Sequence, residues 1–459
     1  MSAMAEEARR TSKGRRRPNF IVIYTDDQGY GDLGCYGAKD LKTPNLDALA
    51  KAGVRFTNWY SNSPVCSPSR ASLMTGCYPQ KVGVPQILGG KRSTPGLSAD
   101  HATIARALKP PGYRTGIIGK WHLGVAEEHR PNAHGFDEFF GFLAGCADYY
   151  SHIYYWGERK GENAVHDLWH NDREVWHNGR YLTELITEKA VEFINRHSGA
   201  PFLLYVPYNA PHFPLHAPKE YLDRFPDLPP DRRIMAAMIA AVDDGVGAIV
   251  KALRRTGRYE NTVIFFSSDN GPSDESRNRL DGSEDPYYGG AAGILRGHKA
   301  SLFDGGIRMP AILSWPDRIP AGQVCHEVGA MMDIFPTFME IAGAEIPSDR
   351  DGSSILSMVT QGAPSPHKQL FWEYNGQLAV RQGKWKLVLR GKLDFDRTQP
   401  DEVHLSDLDA DPGERVNLKD REPDLVVELT RAAEAWLAEV QTHPSPFRAY
   451  GGIPQQAGK

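Results

Sequence analysis

Two pairs of oxygen-bearing side chains, Asp26-Asp27 and Asp269-Asn270, each follow a short apolar run: Phe20–Tyr24 before the first, Thr262–Phe266 before the second. Asp, Asn and Gly also end strands with no further purpose, and either pair alone would mean no more than that. If the two runs are neighbouring strands, Asp26, Asp27, Asp269 and Asn270 converge on one hard cation. Calcium and magnesium both suit oxygen ligands, whereas softer metals want more nitrogen or sulfur. A second kind of chemistry is suggested by Cys66-Ser67-Pro68-Ser69-Arg70, where a cysteine near an arginine is a candidate low-pKa nucleophile. A cysteine hydrolase needs a partner histidine and an oxyanion hole. It has no evident use for a cation ringed by carboxylates.

The elements that must position these groups are legible as a repeated layout. Tyr113–Ile118 leads into Gly119-Lys120-Trp121-His122, and Phe202–Val206 leads into Tyr208-Asn209-Ala210-Pro211-His212. Four apolar runs thus read as buried strands with polar residues at their C-terminal ends, where open α/β sheets carry their chemistry. Helical patterns lie between them at Thr43–Ala52, Leu182–His197 and Ile234–Leu253. The predicted fold is α/β, a large mostly parallel sheet sandwiched by helices. After Gly343 the texture changes. Leu378–Leu389 reads as two strands around a Gly-Lys turn, Asp409–Gly413 as a turn cluster and Glu422–Val440 as a helix. That predicts a smaller C-terminal α+β subdomain with a short antiparallel sheet and one helix. The expected divisions are a flexible basic tail at 1–17, the α/β domain with the candidate site at 18–363, and the C-terminal subdomain at 364–459.

Composition removes several classes. Hydrophobic content of 41% and charged content of 24% over 459 residues exclude a disordered chain. With 53 Lys and Arg against 57 Asp and Glu, the net charge of −4 offers no global field for nucleic acid. No apolar run reaches the ~20 residues that cross a bilayer, so no stable membrane association is expected. The five cysteines show no CxxC spacing, so neither a disulfide framework nor a zinc site is expected. Cys35, Cys77, Cys146 and Cys325 read as small, mostly buried side chains. The first residues hold a basic cluster and no apolar signal core. Cytoplasmic location is the default expectation, periplasmic or secreted if a native signal was removed. Between Asp148 and Tyr181, Tyr149, Tyr150, Tyr154, Tyr155, Trp156, Trp169, Trp176 and Tyr181 lie among four histidines. Such aromatics suit a wet, sugar-binding lip, or equally an excursion whose rings pack on the main domain. The irregular histidine spacing argues against a metal site there.

The segment Cys66-Ser67-Pro68-Ser69-Arg70 with Thr75-Gly76 resembles the signature of the type I, formylglycine-dependent sulfatases of the alkaline-phosphatase-like superfamily, among them arylsulfatases and N-acetylgalactosamine-6-sulfatases. Gly112–His122 is similar to the family's second signature. Thr25–Asp32, Ala210-Pro211-His212, Ser268–Gly271, and Leu295–Lys299 with Gly305–Pro310 follow in family order. The resemblance spans roughly residues 18 to 440.

It implies hydrolysis of sulfate esters. Cys66 would be oxidised, before folding, to formylglycine (3-oxoalanine) by a maturation enzyme, a transient partner, and the aldehyde hydrate would attack sulfur. Asp26, Asp27, Asp269, Asn270 and the modified Cys66 would hold one calcium ion, magnesium fitting less well, which polarises the S–O bonds. Arg70, Lys120 and Lys299 would surround the charged equatorial oxygens. His122 would remove the second hydroxyl's proton so that sulfate leaves. His212, with Lys299, would act as general acid on the leaving alcohol. His298 and Asp304 depart from the commoner family residues, and Asp32 and His216 read as structural. The substrate would be an aryl or carbohydrate sulfate ester, the aromatic stretch favouring carbohydrate. A phosphonate monoester or phosphodiester hydrolase of the same superfamily is the alternative enzyme, against which the Pro-Ser-Arg form speaks. A non-catalytic binding protein on the same scaffold would have lost the nucleophile, a metal carboxylate or the arginine, and none is lost. Oligomeric state is not legible.

Overall fold

Asn19–Thr25 is buried along its whole length, as a strand must be in a sheet covered on both faces. In the computed structural model, which describes residues 17–154, 164–197, 199–275, 287–393 and 401–443, this strand lies in the middle of the main sheet. Most of the expected basic tail, and Tyr155 and Trp156, lie outside the described residues. In chain order the strands are β1 (Asn19–Thr25), β2 (Val54–Tyr60), β3 (Arg114–Lys120), β4 (Glu138–Phe142), β5 (Ile153–Tyr154), β6 (Val165–His166), β7 (Trp169–His170), β8 (Arg173–Glu174), β9 (Phe202–Pro207), β10 (Thr262–Ser268), β11 (Arg308–Ser314), β12 (Gln323–Ala330), β13 (Gln369–Tyr374), β14 (Gln377–Gln382), β15 (Trp385–Gly391) and β16 (Asp401–Asp407).

Ten of them form one sheet in the order β12-β2-β11-β10-β1-β9-β3-β4-β7-β8. The run β10-β1-β9-β3-β4 is parallel. β11 joins it antiparallel to both β10 and β2, and β12 pairs parallel with β2. The sheet is therefore mixed, with its parallel part where the four apolar runs were read. Pro310 sits inside β11 where the pairing with β2 shifts register, the kind of irregularity that accommodates a residue with no N–H. On one face Ile21, Ile23, Leu204 and Ile264 meet the helices Pro44–Lys51, Leu182–Arg196 and Pro230–Arg255. The other face, with Phe20, Val22, Phe265 and Leu313, packs on Ile334–Ala342 and the loops around it.

Register fixes the position of the candidate ligands. Thr25 pairs with Ser268, so Asp26-Asp27 and Asp269-Asn270 leave the sheet side by side. β9 flanks β1 on its other side and β3 lies next to β9, so the segments carrying His212, Lys120 and His122 emerge at the same edge.

β13 to β16 form a second, antiparallel sheet, with the helix Pro423–Val440 laying Leu429, Ala433 and Val440 against it. Its hydrophobic core is shared with the main sheet's side of the molecule through Tyr60, Val65, Phe303 and Met332. Trp372 donates its indole N–H to Ser61 O at 2.7 Å. At this seam Asp304 is buried with Lys386 at 2.6 Å, Arg308 at 3.3 Å and the Tyr60 hydroxyl at 2.9 Å, and Glu414 lies 3.0 Å from Lys386. Among the described residues no helix is long and apolar enough to cross a membrane.

Candidate active site

Cys66 opens the helix Cys66–Thr75, all ten residues of which are buried. A helix N-terminus offers unpaired N–H groups and a positive dipole end. The motif residues each have a local reason. Pro68 stands in the first turn, where its missing N–H costs nothing. Ser69 Oγ ties the turn to Ser61 Oγ (2.6 Å), Ser63 O (2.8 Å) and Val65 O (2.9 Å). Gly76 ends the helix at φ 72°, and a Cβ there would come within 3.0 Å of Phe335 Cβ.

Arg70 projects from the second turn and directs Nε and Nη2 to Asp269 Oδ2, at 3.1 and 2.8 Å. Its Nη2 lies 3.8 Å from Asp26 Oδ1 and its Nη1 donates to Lys120 O at 3.3 Å. Lys120, the last residue of β3, bonds Asp26 Oδ2 at 2.6 Å. Lys299 Nζ reaches Asp27 Oδ2 (2.9 Å), Glu275 Oε2 (3.0 Å) and His212 Nε2 (3.3 Å). Asn270 Nδ2 donates to Asp27 Oδ1 at 2.7 Å, and the Asp27 amide donates to Asp269 Oδ1 at 3.2 Å. All the expected site residues are thereby gathered in one buried cluster. Cys66, His122, His212 and Lys299 line a cavity of about 50 Å³, together with Leu88, Gly145, Cys146, Tyr154, Phe213 and Glu275 among others.

Burial dominates the electrostatics. It pushes the Asp27 carboxyl up to about 7 against the pull of Lys299, and raises Asp269 in the same way, helped by Asp26. It also pushes the Cys66 thiol up to about 11, although Lys120 and Lys299 oppose the shift. His122 and His212 are both held well below the usual imidazole range, first by burial and then by Lys120 and Lys299 respectively. The hydrogen bonds assign their tautomers. His122 Nε2 lies 2.9 Å from Leu88 O, and a carbonyl only accepts, so Nε2 carries the proton and the buried Nδ1 has the lone pair. His212 Nδ1 lies 2.8 Å from Phe213 O, so its Nε2 accepts from Lys299. Asp27 and His122 both sit at positive φ, 63° and 56°, a conformation that side chains with a Cβ adopt at a cost and that clusters at functional sites.

Asp26, Asp27 and His212 each bring a potential ligand atom within 4.8 Å of one another. Asp269, expected as a third carboxylate ligand, adjoins them but has one oxygen engaged by Arg70. Two buried acceptor atoms, Asp26 Oδ1 and Asn270 Oδ1, have no hydrogen-bond partner. Asp32 is structural, as read: it accepts from the Gly29 and Ala291 amides and pairs with Arg232. His216 pairs with Asp148 at 3.2 Å.

Sequence reasoning missed Glu275 and Gly145. Glu275 looks like any acid in a Ser-Asp-Glu loop, and nothing in its spacing marks it. Gly145 could have been suspected from its type: a Cβ there would fall 2.7 Å from the His122 ring. The aromatic stretch divides. Tyr149, Tyr154, Trp169 and Tyr181 are buried in the main domain, whereas Trp176 is exposed.

A largely parallel sheet thus brings acids, cations, two histidines and the cysteine at a helix N-terminus around one small cavity. The family model described as Sulfatase matches residues 18–344, and one described as N-sulphoglucosamine sulphohydrolase, C-terminal, matches 297–441. The chain belongs to the sulfatase family, and it is a sulfuric ester hydrolase. It is 33% identical to arylsulfatase J of Mus musculus over 91% of this chain and 75% of the relative. It is 35% identical to N-acetylgalactosamine-6-sulfatase of Sus scrofa over 80% of this chain and 71% of the relative. Among solved structures, Ps i-CgsB in complex with k-i-k-neocarrahexaose superposes with a TM-score of 0.82 at 32% identity, covering 96% of this chain and 98% of that one. The phosphonate monoester hydrolase of Agrobacterium radiobacter, 21% identical with a TM-score of 0.64, shares the fold.

Proposed function

We propose that the chain removes sulfate from a carbohydrate ester, with Cys66 converted to formylglycine and a calcium ion held by Asp26, Asp27, Asp269 and Asn270. The observation that carries this reading is the state of Cys66. Its thiol is enclosed, pushed up to about 11 and therefore protonated at neutral pH, so it is not prepared as a thiolate nucleophile. The site gathers charge around a residue that lacks the reactivity to use it unless the side chain is changed. Formylglycine would supply, as its hydrate, a hydroxyl aimed at sulfur.

The donor set fits a hard cation. Three buried carboxylates crowd together, two of them with raised pKa, and two buried oxygens, Asp26 Oδ1 and Asn270 Oδ1, lack partners. A bound calcium ion would relieve the repulsion and withdraw charge from the sulfate oxygens.

The remaining roles belong to the chain's own groups. Arg70, Lys120 and Lys299 offset the charge on the transferring group. His122, neutral with a lone pair on Nδ1, accepts a proton within the cavity. Lys299 holds the proton of the Lys299–His212 pair, and the pair acts as general acid at the leaving oxygen. Relatives named for N-acetylgalactosamine 6-sulfate and a solved relative carrying a neocarrahexaose support the carbohydrate class. The test is the mass of the Cys66 peptide from active protein. It should show the loss that converts CH₂SH to CHO, and full activity from unmodified Cys66 would end the reading. Turnover of nitrophenyl sulfate well above a nitrophenyl phosphodiester should accompany it.

A further inference from the structure

Trp176 is 61% exposed, yet its ring does not dangle: it lies flat on the His166 imidazole, 4.8 Å between centroids with 9° between planes. One face of the indole is held and the rest is open to solvent. A single exposed aromatic is ordinary on a protein surface. This one stands at the end of two segments that start in the wall of the catalytic cavity. The first is the ribbon of β5 and β6, in which Tyr154, a cavity residue, pairs with Val165, and Ile153 pairs with His166. The second is the loop from Leu88, also in the cavity wall, through Gly90 to Arg92. A Cβ at Gly90 would fall 2.3 Å from Tyr154 Cζ, so this loop and the ribbon touch. Arg92 then pairs with Glu174, two residues before Trp176. From Tyr154 in the cavity wall the path to the indole is short: across the ribbon to Val165, on to the adjacent His166, and from that ring to the indole stacked on it.

We propose that the Trp176 face, with Arg92 beside it, is a subsite for a neighbouring sugar of an oligosaccharide whose sulfate group occupies the cavity. The inference rests on the carbohydrate reading above and sharpens it from a sulfated sugar to a sulfated chain. Sugar rings present C–H faces that lie on aromatic planes, and a pre-placed indole provides that contact with little loss of side-chain freedom. The half-exposed Arg92 guanidinium offers hydrogen bonds to the hydroxyls or sulfate of the same unit.

The test compares chain lengths. Wild-type enzyme and Trp176→Ala are assayed on nitrophenyl sulfate, on N-acetylgalactosamine 6-sulfate, and on sulfated tetrasaccharides from chondroitin 6-sulfate, heparan sulfate and carrageenan. Trp176→Ala should lower kcat/KM on the preferred tetrasaccharide about ten-fold, chiefly through KM, with nitrophenyl sulfate and the monosaccharide unchanged. Trp176→Phe should recover most of the loss. Equal losses on all substrates, or none on the tetrasaccharide, would overturn the subsite. Turnover of nitrophenyl sulfate with no tetrasaccharide accepted would also overturn it while the sulfatase assignment stands. No turnover of any sulfate ester by protein with converted Cys66 would instead strike at the parent reading.

Discussion

Two clusters of buried charge lie in this molecule, and they are built on different terms. At the seam between the two sheets, Asp304 faces Lys386, Arg308 and the Tyr60 hydroxyl, and the Asp304 amide donates to Glu414 Oε2 at 2.6 Å. Burial works against the Asp304 charge, but Lys386 and Arg308 outweigh it and hold the carboxyl below its usual range. At the strand ends the balance is reversed: burial wins over Lys299 and Arg70, and Asp27 and Asp269 are both raised. Acceptor atoms are left without partners there as well. Glu414 is the seam's exception, pushed up to about 7 by burial because one lysine serves two acids. The contrast separates charge balanced where two parts of a fold join from charge left unbalanced at a cost in stability, which the cation proposed above would relieve.

The comparison can be broken most forcefully at Asp269. Asp269→Asn keeps the shape and an oxygen for Arg70 and relieves one buried charge, while weakening the Arg70 pair and the bond from the Asp27 amide, so the fold should survive with at most a modest drop in thermal midpoint. Metal binding and sulfatase turnover should fall together, on the order of 10³-fold. Calorimetry, metal titration and nitrophenyl sulfate kinetics read this, and a strongly destabilised variant would put this cluster in the same class as the seam. The seam should respond in the opposite sense. Lys386→Met strands two buried acids and should cost about 3–5 kcal/mol in denaturant unfolding, while the folded fraction retains its KM.

Titration of the metal-free protein distinguishes the clusters more finely. The Asp27 carboxyl is raised from 3.8 to about 7, so its contribution to stability is present below about 4 and is lost as pH rises through about 7. The melting temperature should fall over that interval, Asp27→Asn should flatten the fall, and calcium should reverse it. The smallest effect is expected at His367, which approaches both Asp333 oxygens at 2.8 Å near the start of the second sheet. Burial opposes its charge but Asp333 prevails, so its pKa is raised above 6.5. Its contribution is present below 6.5 and lost as pH rises through the folded value. His367→Gln should remove a small pH-dependent increment, visible as a flatter melting-temperature profile above pH 6.5.

How much of this was legible from residues alone follows the type of signal. β1, β3, β9 and β10 were read because a parallel strand buried on both faces is an uninterrupted apolar run. β2 and β12 escaped that reading. β2 mixes buried with half-buried polar positions, and β12 lies at the sheet edge with most of its residues partly exposed. β11 was masked by Pro310, which argues against a central strand until the register shift is seen. At the site, side chains delivered by strand ends and by the helix Cys66–Thr75 could be named in advance, because motif spacing and topology place them together. Glu275 could not, since it arrives on a loop and is defined only by its contact with Lys299. Of the described rings in the aromatic stretch, Tyr149, Tyr154, Trp169 and Tyr181 pack inward, as the packing reading expects, and Trp176 faces outward.

The enclosure of Cys66 has a consequence in time. Ser61 Oγ donates to Asp269 O at 2.6 Å and the Ala300 amide donates to Pro64 O at 2.9 Å, so the lid over the start of that helix is made of chain synthesised long after it. At roughly 5–20 residues per second, translation from Cys66 to Ala300 occupies roughly 10–50 seconds. During that interval the thiol has no completed pocket around it. The order of the chain itself thus provides an open window for the conversion of Cys66 proposed above, and closing the sheet ends it. Protein that completes folding unaltered should resist later treatment in its native state and become treatable only after denaturation.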